Sequence, residues 1–326
     1  MRSFSRLSIA LIALASAACS GNPTNHAAEP AAASSTALVA KFDASAGELP
    51  EGLLFTDDYA YVGFAPTGRV ARVDVESGRA TTFAQLPAPV AGKGFVTGLA
   101  ASPAGDVYAG LASFVPEVQA GIYRIERGTG EVSLFAKDEA LPFPNGLAFD
   151  TNGALFATDS GTGSVFRVDA RGRAERWAND ATLLGDAKAC DGAGPGFAIG
   201  ANGIVVESDA VYVVNLDQAT LLRIPRRQDG SAGPSEVIAG PDCETLGGAD
   251  GLARAPDGTF VIAVNRQNKL VRVTPGGVVT TLAAGAPFDF PASVAYRKDT
   301  LFATNFALHN ASAGLPSQPG LVRVAP

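Results

Sequence analysis

From Pro50 onward, short apolar runs alternate with turn residues, and the alternation recurs as a unit. The clearest copy starts at Asn145-Gly146 and predicts a strand over 147–149. The turn Asp150-Thr151-Asn152-Gly153 leads to a second strand over 155–158. After a loop at 159–163, the alternating SVFRV at 164–168 predicts a third strand, and 174–177 a fourth. A later copy reads GLARA, PDG, TFVIAV, NRQN, KLVRV, TPGG, VVTTLA. Six such units follow one another. Their equivalent positions lie 42 to 57 residues apart, which suits one four-stranded propeller blade each.

The last unit supplies only three strands, SVAYR, TLFATN and GLVRV. At the other end, ALVAKF at 37–42 is a strand without a unit, and it resembles the fourth strands TTFAQL and VTTLAA. It is expected to complete the last blade and remove the exposed edge. The predicted fold is all-β, a six-bladed β-propeller over residues 37–326.

One position near the start of each first strand carries the candidate chemistry. It holds Glu51 (PEGLLF), Asn145 (PNGLAF), Asn202 (ANGIVV) and Asp250 (ADGLAR), with Thr97 (VTGLAA) and Ala292 (PASVAY) in the other two units. A closed ring points all six toward one axis. Two carboxylates and two amide carbonyls there make a hard-cation site, expected to hold Ca²⁺ or another divalent cation. Asn-Gly and Asp-Gly are also ordinary turn formers, so the alternative is a set of turns. Of the four, Asp250 is the candidate general base or nucleophile. Loops between second and third strands share the ring's face, which places Asn215, Asn265, Asn305 and Asp159 on a pocket rim. Three insertions, 111–121, 185–200 and 305–320, fall on the same face and suggest a partial lid. Thr97, Asn215, Asn265, Asn305 and His309 are therefore the candidate substrate-binding residues. His309 reads either as a proton shuttle or as an exposed loop histidine. Arg266 reads either as an anion contact or as a solvated arginine, and Glu117 is equally open. Trp177 and the phenylalanines read most simply as core.

With 326 residues, 47% of them hydrophobic, the chain can bury a large core, and its net charge of −7 with no basic run excludes a nucleic-acid partner. No serine-nucleophile motif, phosphate-binding glycine loop or zinc spacing is present. Arg2 and Arg6 precede a short apolar run over 7–18, which predicts a signal peptide over 1–18 and an exported protein. Cys19 follows Ser-Ala-Ala and resembles a bacterial lipoprotein cleavage box, although Ser16 stands where that box usually has Leu. The expectation is a lipid anchor on Cys19 of a periplasmic or outer-membrane lipoprotein; the alternative is simple cleavage and secretion. Residues 19–36, rich in Ala, Ser, Pro and Asn, read as a tether, which removes His26 from consideration. In an oxidising compartment Cys190 and Cys243, each just upstream of a ring residue, are expected to pair; two buried thiols are the alternative. A monomer touching the membrane only through its anchor is expected.

PEGLLF, FPNGLAFD, GANGIVV and GGADGLA together resemble the gluconolactonase/regucalcin family of calcium-dependent six-bladed propellers, over 38–324. The resemblance implies a metal held by Glu51, Asn145, Asn202 and Asp250, and hydrolysis of a lactone or ester. It also implies a second-blade Asn-Asp pair for sugar lactones. Here that stretch reads Phe95-Val96-Thr97-Gly98, so a simple sugar lactone is not expected. A non-catalytic propeller with a structural metal, binding a ligand or an envelope protein, is the alternative function.

Overall fold

The computed structural model describes residues 35–56, 59–192 and 197–325. The expected signal segment, Cys19 and nearly all of the tether lie outside these residues. The chain forms six four-stranded antiparallel sheets, each built from consecutive strands except the last. The blades run Pro50–Gln85, Gly94–Ala136, Pro144–Asn179, Ala201–Ala239, Ala249–Ala284 and Pro291–Val324. In the sixth, the strand Thr36–Lys41 pairs antiparallel with Gly320–Val324 as the outermost member. The orphan strand thus completes the last blade, as its sequence suggests. Among the described residues no helix is long and apolar enough to cross a membrane.

Burial explains the run of each blade. The second strands are buried throughout, as in Val107–Ser113, Leu155–Asp159 and Phe260–Val264, because both of their faces meet neighbouring sheets. Fourth strands such as Ala80–Gln85 and Ala174–Asn179 lie largely toward solvent, each with a single buried residue, Ala84 and Ala178. Six apolar clusters each bridge two consecutive blades. One of them joins Val62 and Phe64 of the first blade to Ala40, Phe302 and Leu321 of the sixth, so the seam at the closure is packed like the others.

The ring residues sit in β-bulges. In every blade one extra residue enters the first strand at the same point, between Pro50 and Leu53 in the first and between Pro144 and Leu147 in the third. The other four blades repeat the offset. A bulge re-aims a side chain out of the pleat, and here it turns the ring residue toward the axis. The glycine that follows serves a second need. A Cβ on Gly146 would lie 2.4 Å from the Asn202 carbonyl, and one on Gly203 would lie 2.4 Å from that of Asp250. Gly52, Gly98 and Gly251 meet the next blade's ring carbonyl in the same way. The ring-residue–glycine dipeptides are therefore strand bulges at a close approach of backbones, not turns.

Candidate functional site

Glu51, Asn145, Asn202 and Asp250 converge on the floor of one cavity of about 310 Å³, with Thr97 beside them. All five side chains are buried, and Ala292 completes the ring without a polar atom. Asn265 Nδ2 donates to Asp250 Oδ2 at 2.8 Å. Asn145 Nδ2 donates to Ser160 Oγ at 3.0 Å, and Ser160 Oγ donates in turn to the Ala201 carbonyl at 2.8 Å. Spending its NH₂ on Ser160 leaves the Asn145 amide oxygen as the end free to ligate. Thr97 Oγ1 donates to the Pro144 carbonyl at 2.7 Å, which ties the second blade to the third.

The floor is electrostatically unbalanced. Burial raises the Glu51 carboxyl well above the ordinary carboxylate range, and the charge on Asp250 raises it further. Burial pushes Asp250 up to about 7, against hydrogen bonds from Asn265 and Asn202 and the charge of Arg266. Glu51 Oε2 is buried without a hydrogen-bond partner. Two desolvated carboxylates, one with an orphaned oxygen, lack the counter-charge that buried anions require. A divalent cation supplies it, and a set of two carboxylates with two amide oxygens suits a hard metal. The residues present therefore fit the group expected from the sequence. Among the described residues, no three His, Cys, Asp or Glu side chains gather as a metal-binding group, so any ion on this floor depends on the amides as well.

The walls are apolar. Phe95, Phe143, Phe290 and Phe306 line the cavity, with Leu308 and Phe197 higher up. These phenylalanines, expected in the core, line the site as well: Phe306 belongs to an apolar cluster with Leu49, Ala65 and Ala292, and Phe95 and Phe290 pack against it. A sequence signal for them exists in spacing alone: Phe95, Phe143 and Phe290 each stand two residues before a ring position, Phe95 inside its strand and Phe143 and Phe290 just ahead of theirs, with Phe290 at φ 52°. Phe143 packs near Phe95 and Phe114, with ring centroids 6.3 and 5.5 Å away.

Of the expected rim residues, Asn265 and His309 line the cavity. Asn215 and Asn305 do not, because backbone groups consume both ends of their amides. Asn215 donates to the carbonyls of Thr182 and Leu184, both at 2.8 Å, and accepts from Gln218 N. Asn305 donates to the carbonyls of Pro287 and Gln318 and accepts from Asp289 N. Both fasten loops at the mouth. Asp159 is likewise occupied, accepting from Phe143 N at 2.7 Å and from Thr162. Asp289 holds the sixth-blade loop, accepting from Asn310 Nδ2 at 2.9 Å and Gln318 N at 2.7 Å, and so fixes the short helix Leu308–Ser312 that brings His309 to the mouth. Arg266 lines the cavity and pairs with Asp217 at 3.2 Å, with its side chain 13% exposed, so it is not a solvated surface arginine. Cys190 and Cys243 form a disulfide. It joins the insertion before the fourth blade to the helix Cys243–Leu246 that precedes the fifth.

The family model described as the SMP-30/Gluconolactonase/LRE-like region matches residues 24–207. No curated protein matches the sequence. Among solved structures, a gluconolactonase from Xanthomonas campestris aligns with a TM-score of 0.65 at 15% identity, covering 90% of this chain and 89% of that one. A calcium-binding regucalcin from Agrobacterium tumefaciens gives 0.62 at 20% identity, covering 88% and 93%. An auxiliary nutrient binding protein from Bacteroides thetaiotaomicron gives 0.63 at 13% identity, covering 89% and 76%. Likeness at these identities shows the fold, which serves catalysis and binding alike.

Proposed function

This chain belongs to the SMP-30/gluconolactonase/LRE-like family, and from that premise we propose that it is an exported, calcium-dependent hydrolase of a lactone or ester. The observation that carries the reading is the floor: two buried carboxylates with unmet charge, flanked by two amides, at the end of a cavity with apolar walls. Glu51, Asn145, Asn202 and Asp250 would hold the ion. Bound there, calcium would supply Lewis acidity toward a carbonyl oxygen.

The protein's own groups do the rest. Asn265 fixes Asp250 through Oδ2, which orients the carboxylate toward the cavity floor. The Asp250 carboxylate takes a proton from water as the water oxygen adds to the carbonyl carbon. When the C–O bond to the leaving group breaks, the leaving oxygen takes that proton. The phenylalanine walls exclude bulk water and strengthen each polar contact on the floor. Glu51 is a ligand in this scheme.

Export and a lipid anchor at Cys19 complete the proposal. The Cys190–Cys243 disulfide supports an oxidising compartment. The test is hydrolysis of a panel of lactones and aryl esters with calcium and with chelator, beside Asp250→Ala. Calcium-dependent turnover that the variant loses supports the hydrolase. Stabilisation by calcium without turnover of any panel member favours the second reading, a ligand-binding propeller, which the half-exposed rings of Phe114 and Phe197 at the mouth make concrete.

A further inference from the structure

The cavity divides into two chemically distinct zones, and a third feature links them. The floor is polar. The walls are mostly apolar, made by Phe95, Phe143, Phe290, Phe306 and Leu308, with His309 and Ser312 as the polar side chains of the short sixth-blade helix. Between floor and wall stands Arg266. Its Nη2 is tied to Asp217 Oδ1 at 3.2 Å. Asp217 is itself buried, and its other oxygen accepts from Ile199 N at 2.7 Å. The guanidinium is thereby held by one arm. The other arm, Nη1, is buried and has no hydrogen-bond partner within the protein. A planar guanidinium clamped on one side holds a fixed position at the cavity, and since Nη1 has no exposed surface there, it contributes charge to the site rather than a direct contact. Arg266 is also close enough to the floor for its charge to lower the Asp250 carboxyl.

A polyhydroxylated sugar lactone would leave its hydroxyls facing phenylalanine rings, and each buried hydroxyl without a partner opposes binding. An acyl or aryl group loses nothing there. We propose that the substrate is a lactone or ester bearing an apolar acyl or aryl substituent that packs on the phenylalanine wall. The Arg266 cation attracts the oxygen-bearing end of the same molecule and sets its depth. This rests on the hydrolase reading for the reactive group, while the wall and Arg266 define the class. The cavity volume, about 310 Å³, is at the lower end for small-ligand sites, so the substituent is of modest size.

The test uses the purified calcium-loaded protein and three lactones: γ-butyrolactone, a γ-lactone carrying a six-carbon alkyl tail, and glucono-δ-lactone. Both kcat/KM and binding by calorimetry are measured. A preference rising by up to about fourfold per buried methylene is expected, with glucono-δ-lactone the poorest. Phe143→Ala should lower affinity for the tailed lactone only. Arg266→Gln should weaken both γ-lactones by the same factor, about tenfold. Arg266→Lys, which keeps a cation beside Asp217, should retain most of the affinity, which separates loss of the charge from loss of folding. Tail-dependent binding without turnover supports the inference and removes the hydrolase reading. Turnover that ignores the tail, or that favours glucono-δ-lactone, overturns the inference and leaves the hydrolase reading standing. No binding of the tailed lactone overturns it as well.

Discussion

Glu51 of the first blade and Asp250 of the fifth lie close enough on the buried floor for the charge on Asp250 to lift the Glu51 carboxyl further above its ordinary range. Both carboxyls are raised in the metal-free protein. The folded state then holds protons that the unfolded chain, with carboxyls near 4, has released. Stability therefore falls as pH rises through the folded values. In chelator, the melting temperature should rise as pH is lowered from 8 toward 5, and Glu51→Gln with Asp250→Asn should flatten that slope. With saturating calcium the trend should reverse over the same window, because protons compete for the ligand oxygens. A calcium-induced shift that is independent of pH would count against an ion on these carboxylates.

Asp250→Ala should reduce turnover by about 10²–10⁴-fold if the carboxylate moves the proton. It should also reduce the calcium-induced shift in melting temperature, since a ligand is lost. Glu51→Gln should diminish that shift while stabilising the chelated protein at alkaline pH, because the amide cannot take on the buried charge that Glu51 acquires as pH rises. Thermal melts with calcium and with chelator separate the two variants.

Gly146→Ala should destabilise by about 1–3 kcal/mol or more, because the new Cβ would meet a backbone carbonyl, that of Asn202, at 2.4 Å. Ser293, the residue after Ala292, already carries a Cβ where the other blades have glycine. Ser293→Ala should therefore cost far less. Urea unfolding of the two variants tests whether backbone approach at the ring, rather than turn conformation, demands the glycine.

Reducing the Cys190–Cys243 bond should lower stability by about 2–4 kcal/mol, with the upper end expected for a loop spanning 53 residues. The effect is read by comparing unfolding with and without reductant. Since the bond anchors the insertion that carries Phe197 and Ile199 to the cavity, reduction should also raise KM for a tailed lactone.

The ring and the closure were legible because period and position alone define them. Glu51, Asn145, Asn202 and Asp250 occupy one slot in a repeat, and 37–42 had the pattern of a missing fourth strand. The lining was not legible, because a phenylalanine facing a cavity and one facing a core look alike until the bulge fixes which way the strand's alternation runs. Phe95 follows once that direction is known; Phe143 and Phe290 lie just ahead of their strands, where no alternation applies. Asn215 and Asn305 misled for a related reason. An amide at a loop's first residue can face a ligand or fasten the loop, and here the neighbouring carbonyls of Thr182, Leu184, Pro287 and Gln318 take it. Arg266 turned on its partner Asp217, which lies 49 residues away in the chain and shares no motif with it.

The pairing of Thr36–Lys41 with Gly320–Val324 also governs when the molecule can form. These contacts have almost the greatest sequence separation the chain allows, and contacts of that kind form late and slowly. Five blades can be made on the ribosome in order, but the sixth waits for its first strand to be met by its last. Until then, one flank of the first blade and one of the sixth are uncovered, with Phe64 and Phe302 open to water. The seam is thus the point of greatest risk during biogenesis, because the molecule has no closed ring until the two ends of the chain have met.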